Sequence, residues 1–194
     1  MSVQLGVFCG SNTGNSPVFV EQARRLGSAI GRRGLGLVYG GGRVGLMGAV
    51  ADAALEHGSE VTGVITDQLV GAEVAHPGLT TLEIVPTMHD RKARMADLAS
   101  GFVTLPGGFG TLDETLEILT WNQLGLMAKP VAFLDVEGYY AGLFDFLDQA
   151  VEAQFVRGAH RMLAQRARTV DEAVAIATGP APETPHKWID RDGA

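Results

Sequence analysis

The feature that most restricts the fold of this chain is a short apolar run that breaks into glycines and re-emerges as a helix. Residues 100–105 (SGFVTL) read as a buried strand, Pro106, Gly107, Gly108 and Gly110 follow, and Leu112, Leu116, Leu119 and Leu124 then recur at near-helical spacing. The same order occurs at residues 35–39, which run into Gly40, Gly41 and Gly42 before a helix that extends to about residue 57. Apolar runs at 5–9, 61–65, 81–85 and 129–134 alternate with helical segments at 17–33, 87–98, 139–155 and 171–178. A short run at 166–170 reads as an edge strand, and 66–78 as irregular loop. This alternation predicts an α/β protein with a parallel sheet of six to seven strands, covered by helices on both faces. No repeat or linker interrupts residues 1–178, which read as one domain; 179–194, with its prolines, reads as a mobile tail whose one candidate anchor is Trp188.

A chain of 194 residues with 46% hydrophobic and 19% charged residues is long enough for one well-packed domain and short for two. Its net charge of −7, with no basic run longer than a pair such as Arg24-Arg25, argues against a nucleic-acid polymer as partner. Cys9 is the single cysteine, so neither an intrachain disulfide nor a cysteine-rich metal site is expected, and Cys9 reads as a buried filler. The first residues lack a charged n-region, and no apolar run reaches membrane-spanning length. A cytoplasmic protein without a membrane partner is the expectation.

Free N–H groups and a positive dipole end make a helix N-terminus attractive to anions, and glycines let a phosphate approach those donors. Gly107, Gly108, Gly110 and Thr111 therefore read as a phosphate cradle. Glu114 has two readings. Thr111 and Glu114 spell T-x-x-E, the capping box; equally, helical side chains tilt towards the N-terminus, so this carboxylate would face whatever the loop holds. The turn at Gly40, Gly42 and Gly45 fits G-x-G-x-x-G, and it reads as a dinucleotide fingerprint, as part of one mononucleotide site shared with the Gly107 turn, or as glycines serving close packing alone. Ser11, after the first strand, reads either as a ligand contact or as an ordinary turn residue. On the helix capped by Thr87, Asp90, Arg94 and Asp97 share a polar stripe, whereas Arg91 shares one with Met88, Met95 and Leu98. Arg91 thus points inward, towards a bound phosphate, Glu114 or another buried carboxylate, with Lys92 flanking it.

Taken together, these segments resemble the "lonely guy" (LOG) family of cytokinin-activating nucleoside 5′-monophosphate phosphoribohydrolases, once described as lysine decarboxylases. The resemblance rests on CGS (9–11), YGGGRVGLMG (39–48), MHDRK (88–92) with Met95, PGGFGTLDE (106–114) and TWNQLG (120–125), in that order over about residues 4–156. It implies a Rossmann-like doubly wound domain and hydrolysis of the N-glycosidic bond of AMP or an N6-modified AMP, to free base and ribose 5-phosphate. It further implies Arg91 and Glu114 as the catalytic pair, and substrate contacts from Ser11, Gly41, Gly42, Met88, Lys92, Gly107, Gly108, Gly110, Thr111 and Glu117. A homodimer is the assembly it suggests, and neither metal nor cofactor is expected.

Two rival readings are a non-catalytic nucleotide carrier and an NAD-type dehydrogenase, for which Asp67 alone is placed to grip a ribose. A decarboxylase using pyridoxal phosphate needs a Schiff-base lysine. The chain has only Lys92, Lys129 and Lys187; Lys129 opens a strand before Pro130 and Lys187 lies in the tail, and the decarboxylase label is therefore not expected to hold.

Overall fold

The computed structural model describes residues 3–70 and 75–183. In chain order they form β1 (Gln4–Phe8), α1 (Pro17–Arg32), β2 (Gly36–Tyr39), α2 (Gly45–Glu56), β3 (Val61–Thr66), α3 (Asp67–Val70), β4 (Thr81–Val85) and α4 (Met88–Leu98). There follow β5 (Gly101–Thr104), α5 (Phe109–Gln123), β6 (Val131–Leu134), a single 3-10 turn (Val136–Gly138), α6 (Ala141–Glu152), α7 (Gly158–Arg161), β7 (Ala164–Ala167) and α8 (Val170–Thr178).

All seven strands are parallel, in the order β4-β3-β2-β1-β5-β6-β7. The chain builds outward from β1 to the β4 edge, returns through α4 to the other side of β1, and builds outward again. That reversal opens a crevice between the loops following β1 and β5, where open α/β sheets bind ligands. Alternation along the strands divides the core. Leu5, Val7, Leu37, Tyr39 and Val103 face α1, α2 and α8, where they meet Leu26, Ile30, Val50 and Val174. Phe8, Val38, Val64, Phe102 and Phe133 face the other way, against Met95 and Ala96 of α4, Ile118 of α5 and Phe144 of α6.

Local signals set most helix starts. Ser16 caps α1 ahead of Pro17 and accepts from the Val18 N–H. Thr87 caps α4, accepting from the Asp90 N–H at 3.1 Å. Thr111 caps nothing: α5 begins at Phe109 with Gly108 as N-cap, so Thr111 and Glu114 lie inside the helix and the capping-box reading of Glu114 falls. The true capping box is Thr169 with Glu172, at the start of α8. The 139–155 helix is shorter than its apolar spacing suggests, because the segment first makes the 3-10 turn, where Glu137 has φ 52°. The edge strand lies at Ala164–Ala167 rather than 166–170, preceded by the short α7, which has too few residues to show a period. Within the expected loop at 66–78, residues 67–70 are helical and Ala75 bridges to Gly42; 71–74 and Trp188 lie outside the described residues.

Candidate active site

The loop after β1 and the turn after β5 are bonded directly, the Gly10 N–H donating to Pro106 O at 3.0 Å. Between them lies a cavity of about 390 Å³ lined by Ser11, Arg91, Gly107, Gly108, Gly110, Thr111 and Glu114 among the expected site residues. Cys9, Asn12, Thr13, Phe19, Leu46, Met47 and Tyr139 complete much of its wall.

The turn's glycines differ in what they do. A Cβ at Gly107 would lie 2.1 Å from Thr111 Oγ1 and 2.8 Å from the Gly10 nitrogen, so packing of the loops demands glycine there. At Gly108 and Gly110 a Cβ would meet nothing within 4 Å. The protein does not fill that space. The first N–H groups of α5 have no intrahelical acceptor, and no side chain caps them. The result is an open, donor-rich helix start facing the cavity, suited to an anion.

Arg91, buried as its stripe predicts, reaches across the ends of two strands. Its Nε donates to Val64 O at 2.9 Å and its Nη2 to Gly40 O at 3.3 Å, while Nη1 lies 3.2 Å from Glu114 Oε1. The two side chains are only 6% and 11% exposed. Withdrawing both charges from water costs more than a surface pair returns, so the pair is weak evidence for stability. A Cβ at Gly40 would stand 2.2 Å from Nη2. Glycine at the end of β2 is what lets the guanidinium pass.

The other expected contacts lie outside the cavity. Gly41, at φ 79°, packs towards Ile65 and Leu82, and its carbonyl accepts from the His76 N–H; Gly42 forms an antiparallel bridge with Ala75. The N-terminus of α2 is likewise taken, since the Leu46 N–H donates to Gly10 O and a Cβ at Gly45 would be 2.3 Å from the Ser11 carbonyl. The glycines of the G-x-G-x-x-G turn thus serve loop packing at Gly41, Gly42 and Gly45, while Gly40 lines the cavity. Met88 touches the guanidinium through its sulfur at 3.9 Å but does not line the cavity. Lys92 Nζ lies 3.1 Å from both Asp113 Oδ2 and Glu117 Oε2. Burial alone would lower its pKa, but the two carboxylates outweigh that and hold it above the usual lysine value. Lys92 and Glu117 therefore lock α4 to α5 one turn away from the Arg91–Glu114 pair.

Cys9 lines the cavity floor, and burial, followed by the charge of Glu114, drives its thiol well above the ordinary value, as a filler rather than a nucleophile. Lys129 is turned away from the cavity, with Nζ donating to Ala96 O and, at 2.6 Å, to Ala99 O. Neither Lys92 nor Lys129 stands where a Schiff base could form. Among the described residues no group of three His, Cys, Asp or Glu could hold a metal. Tyr139 and Phe19 were not legible as wall residues. Their edge-to-face contact, 5.9 Å between centroids, joins segments 120 residues apart, and nothing local announces it.

Fold and cavity together define a Rossmann-like α/β protein whose crevice combines an open helix start with a buried arginine–glutamate pair. A family model described as "Possible lysine decarboxylase" matches residues 47–177. The chain is 45% identical over 168 residues to a cytokinin riboside 5′-monophosphate phosphoribohydrolase of Arabidopsis thaliana, covering 87% of this chain and 77% of that one. It is 43% identical over 175 residues to the enzyme of the same name from Rhodococcoides fascians, covering 90% and 88%. The chain belongs to this family, the LOG phosphoribohydrolases. More distant solved structures share the fold: the molybdenum cofactor carrier protein of Chlamydomonas reinhardtii (TM-score 0.67, 22% identity, 90% of this chain and 94% of that) and a molybdenum cofactor binding protein of Rippkaea orientalis (TM-score 0.67, 18% identity, the same coverage).

Proposed function

We propose that this chain hydrolyses the N-glycosidic bond of adenosine 5′-monophosphates, including N6-modified ones such as isopentenyl-AMP, releasing the free base and ribose 5-phosphate, the step that activates a cytokinin. The observation that carries the reading is the Arg91–Glu114 pair, 3.2 Å apart in the same cavity as the open start of α5.

Gly107, Gly108, Gly110 and Thr111 hold the 5′-phosphate, so that binding energy at a remote group fixes the reacting bond. As the bond between C1′ and the base nitrogen breaks, its electron pair leaves with the base and the ribose gains oxocarbenium character. Glu114 stabilises that charge and orients the attacking water, whose hydroxyl goes to C1′ and whose proton balances the departing base. Arg91 holds the Glu114 carboxylate in place and orients the phosphoribosyl group; Ser11 contributes from the opposite loop. Lys92 and Glu117 set the spacing of the two helices that carry the pair. Exposed apolar side chains on and just after α5 (Leu116, Leu124, Leu126), with Phe146 on α6, support a homodimer. A cytoplasmic location agrees with the lack, among the described residues, of any helix long and apolar enough to cross a membrane.

The test is chromatography of reactions with AMP, isopentenyl-AMP and the matching nucleoside, using wild type, Glu114→Gln and Arg91→Ala. Free base from the monophosphates only, reduced about 10²–10⁴-fold in Glu114→Gln while AMP still binds, is expected. Wild-type protein that binds AMP yet releases no base would make it a carrier.

A further inference from the structure

The turn that presents the cavity's N–H donors contains three successive carbonyls, at Leu105, Pro106 and Gly107, and each is engaged from outside the turn. Tyr140 Oη donates to Leu105 O at 2.7 Å, the Gly10 N–H donates to Pro106 O at 3.0 Å, and Tyr139 Oη donates to Gly107 O at 2.7 Å. No peptide in the described chain is cis. In a trans peptide the C=O and the following N–H point in opposite directions, so fixing the Gly107 carbonyl also fixes the Gly108 N–H. That peptide needs fixing more than its neighbours, because it joins two glycines and neither side has a Cβ to oppose its rotation.

We infer that Tyr139 is a positioning residue for phosphate recognition: its hydroxyl holds the Gly107–Gly108 peptide with the N–H, rather than the carbonyl, available to the anion. The inference rests on reading this cavity as a nucleoside 5′-monophosphate site. Tyr139 is itself held from behind. Asp135 accepts from the Tyr140 N–H at 2.7 Å and from Arg166 Nε at 2.7 Å, which fixes the turn carrying both tyrosines. Phe19 and Tyr140 pack edge-on against the Tyr139 ring. Without the hydroxyl, the Gly107–Gly108 peptide is free to turn its carbonyl into the cavity and repel the phosphate.

Tyr139→Phe keeps the ring and deletes the hydrogen bond. The expected result is a rise of about five- to thirtyfold in KM for isopentenyl-AMP, and by the same factor in Kd for ribose 5-phosphate measured by calorimetry, from the loss of one hydrogen bond of about 1–2 kcal/mol. The kcat should stay within about threefold, inhibition by the nucleoside lacking phosphate should not change, and Tm should move little, since Tyr139 is half exposed. A merely structural tyrosine would instead lower Tm without separating phosphate-bearing ligands from the nucleoside. Wild-type protein that binds ribose 5-phosphate, with Tyr139→Phe binding it within twofold of wild type, overturns this inference alone. Wild-type protein that binds no phosphate ligand overturns the reading of the cavity and the inference with it.

Discussion

Substituting Gly40 by alanine should separate activity from stability in this protein. The new Cβ would stand 2.2 Å from Arg91 Nη2, whereas ordinary contact begins near 3.4 Å, so the guanidinium must retreat by about 1.2 Å. The obstacle is the tip of a side chain, and the next neighbour, the Met47 Sδ at 3.3 Å, need shift only slightly. The fold can therefore accept the methyl by swinging Arg91 aside. That movement breaks the bond from Nη2 to Gly40 O and misaligns Nη1 with Glu114, while the bond from Nε to Val64 O survives. A hydrogen bond from a charged group contributes about 1.5–3 kcal/mol, and the stiffer unfolded chain of an alanine variant returns about 0.4–1 kcal/mol. The net loss of about 0.5–2.6 kcal/mol lowers Tm by roughly 1–10 °C for a chain of this length. Arg91→Ala, which removes one partner of the buried pair, should cost about 3–5 kcal/mol and roughly 6–20 °C. Activity should fall far more than stability, since a misplacement of about 1 Å costs on the order of 10²-fold. The measurements are kcat/KM on isopentenyl-AMP by chromatography and Tm by circular dichroism. Activity within threefold of wild type would refute the argument, as would a Tm as low as that of Arg91→Ala.

Gly108→Ala places a methyl in space the protein leaves empty, so Tm should stay within about 2 °C while KM for a monophosphate rises at least about tenfold; a KM within twofold of wild type would show that no ligand uses that space. Cys9, its thiol pKa raised by burial, should resist iodoacetamide at pH 8 in the folded protein and react once guanidinium unfolds it, as mass spectrometry can follow. Glu83 is held below its ordinary pKa of 4.5 by the hydrogen bond from Arg94, against the opposing effect of burial. Its contribution is therefore present above pH 4.5 and lost as pH falls through the lowered value. The Tm advantage of wild type over Glu83→Gln, worth at most about 1 kcal/mol for so exposed a pair, should shrink on acidification below pH 4.5 and disappear at lower pH.

Much of this architecture is written in local patterns. Period and glycine placement marked the strands and the main helices, and the stripe shared by Arg91, Met88, Met95 and Leu98 turned Arg91 inward before any contact was known. Residue type told less about purpose. A glycine reports that something comes close, but not what: at Gly107 it is a threonine side chain, at Gly40 a guanidinium, at Gly45 a backbone carbonyl, and at Gly108 open space. For that reason the turn at 40–45 and the turn at 107–110 read alike in sequence, although the first packs closely at Gly45 and the second leaves space at Gly108. The T-x-x-E pattern at Thr111 misled because the residue that starts α5 is Gly108, whose role carries no side-chain signature. Tyr139 could not have been found locally, since its partners are Gly107 and Phe19, both distant in sequence.

The path of α4 has a consequence for how the molecule fails. This helix begins just after β4, an edge strand that among the described residues pairs only with β3, and its second turn carries Arg91 to the centre of the molecule. Proteins open locally before they open globally, and a strand paired on one side has fewer bonds to break than one paired on both. When β4 lets go, α4 loses the Arg94–Glu83 link, but Arg91 keeps its bonds to Val64 O of β3 and to Gly40 O, and Lys92 still ties α4 to α5, so the Arg91–Glu114 pair stays together. Heat should thus loosen the sheet's margin while the protein still works, and activity should go only when the strands nearer the centre give way.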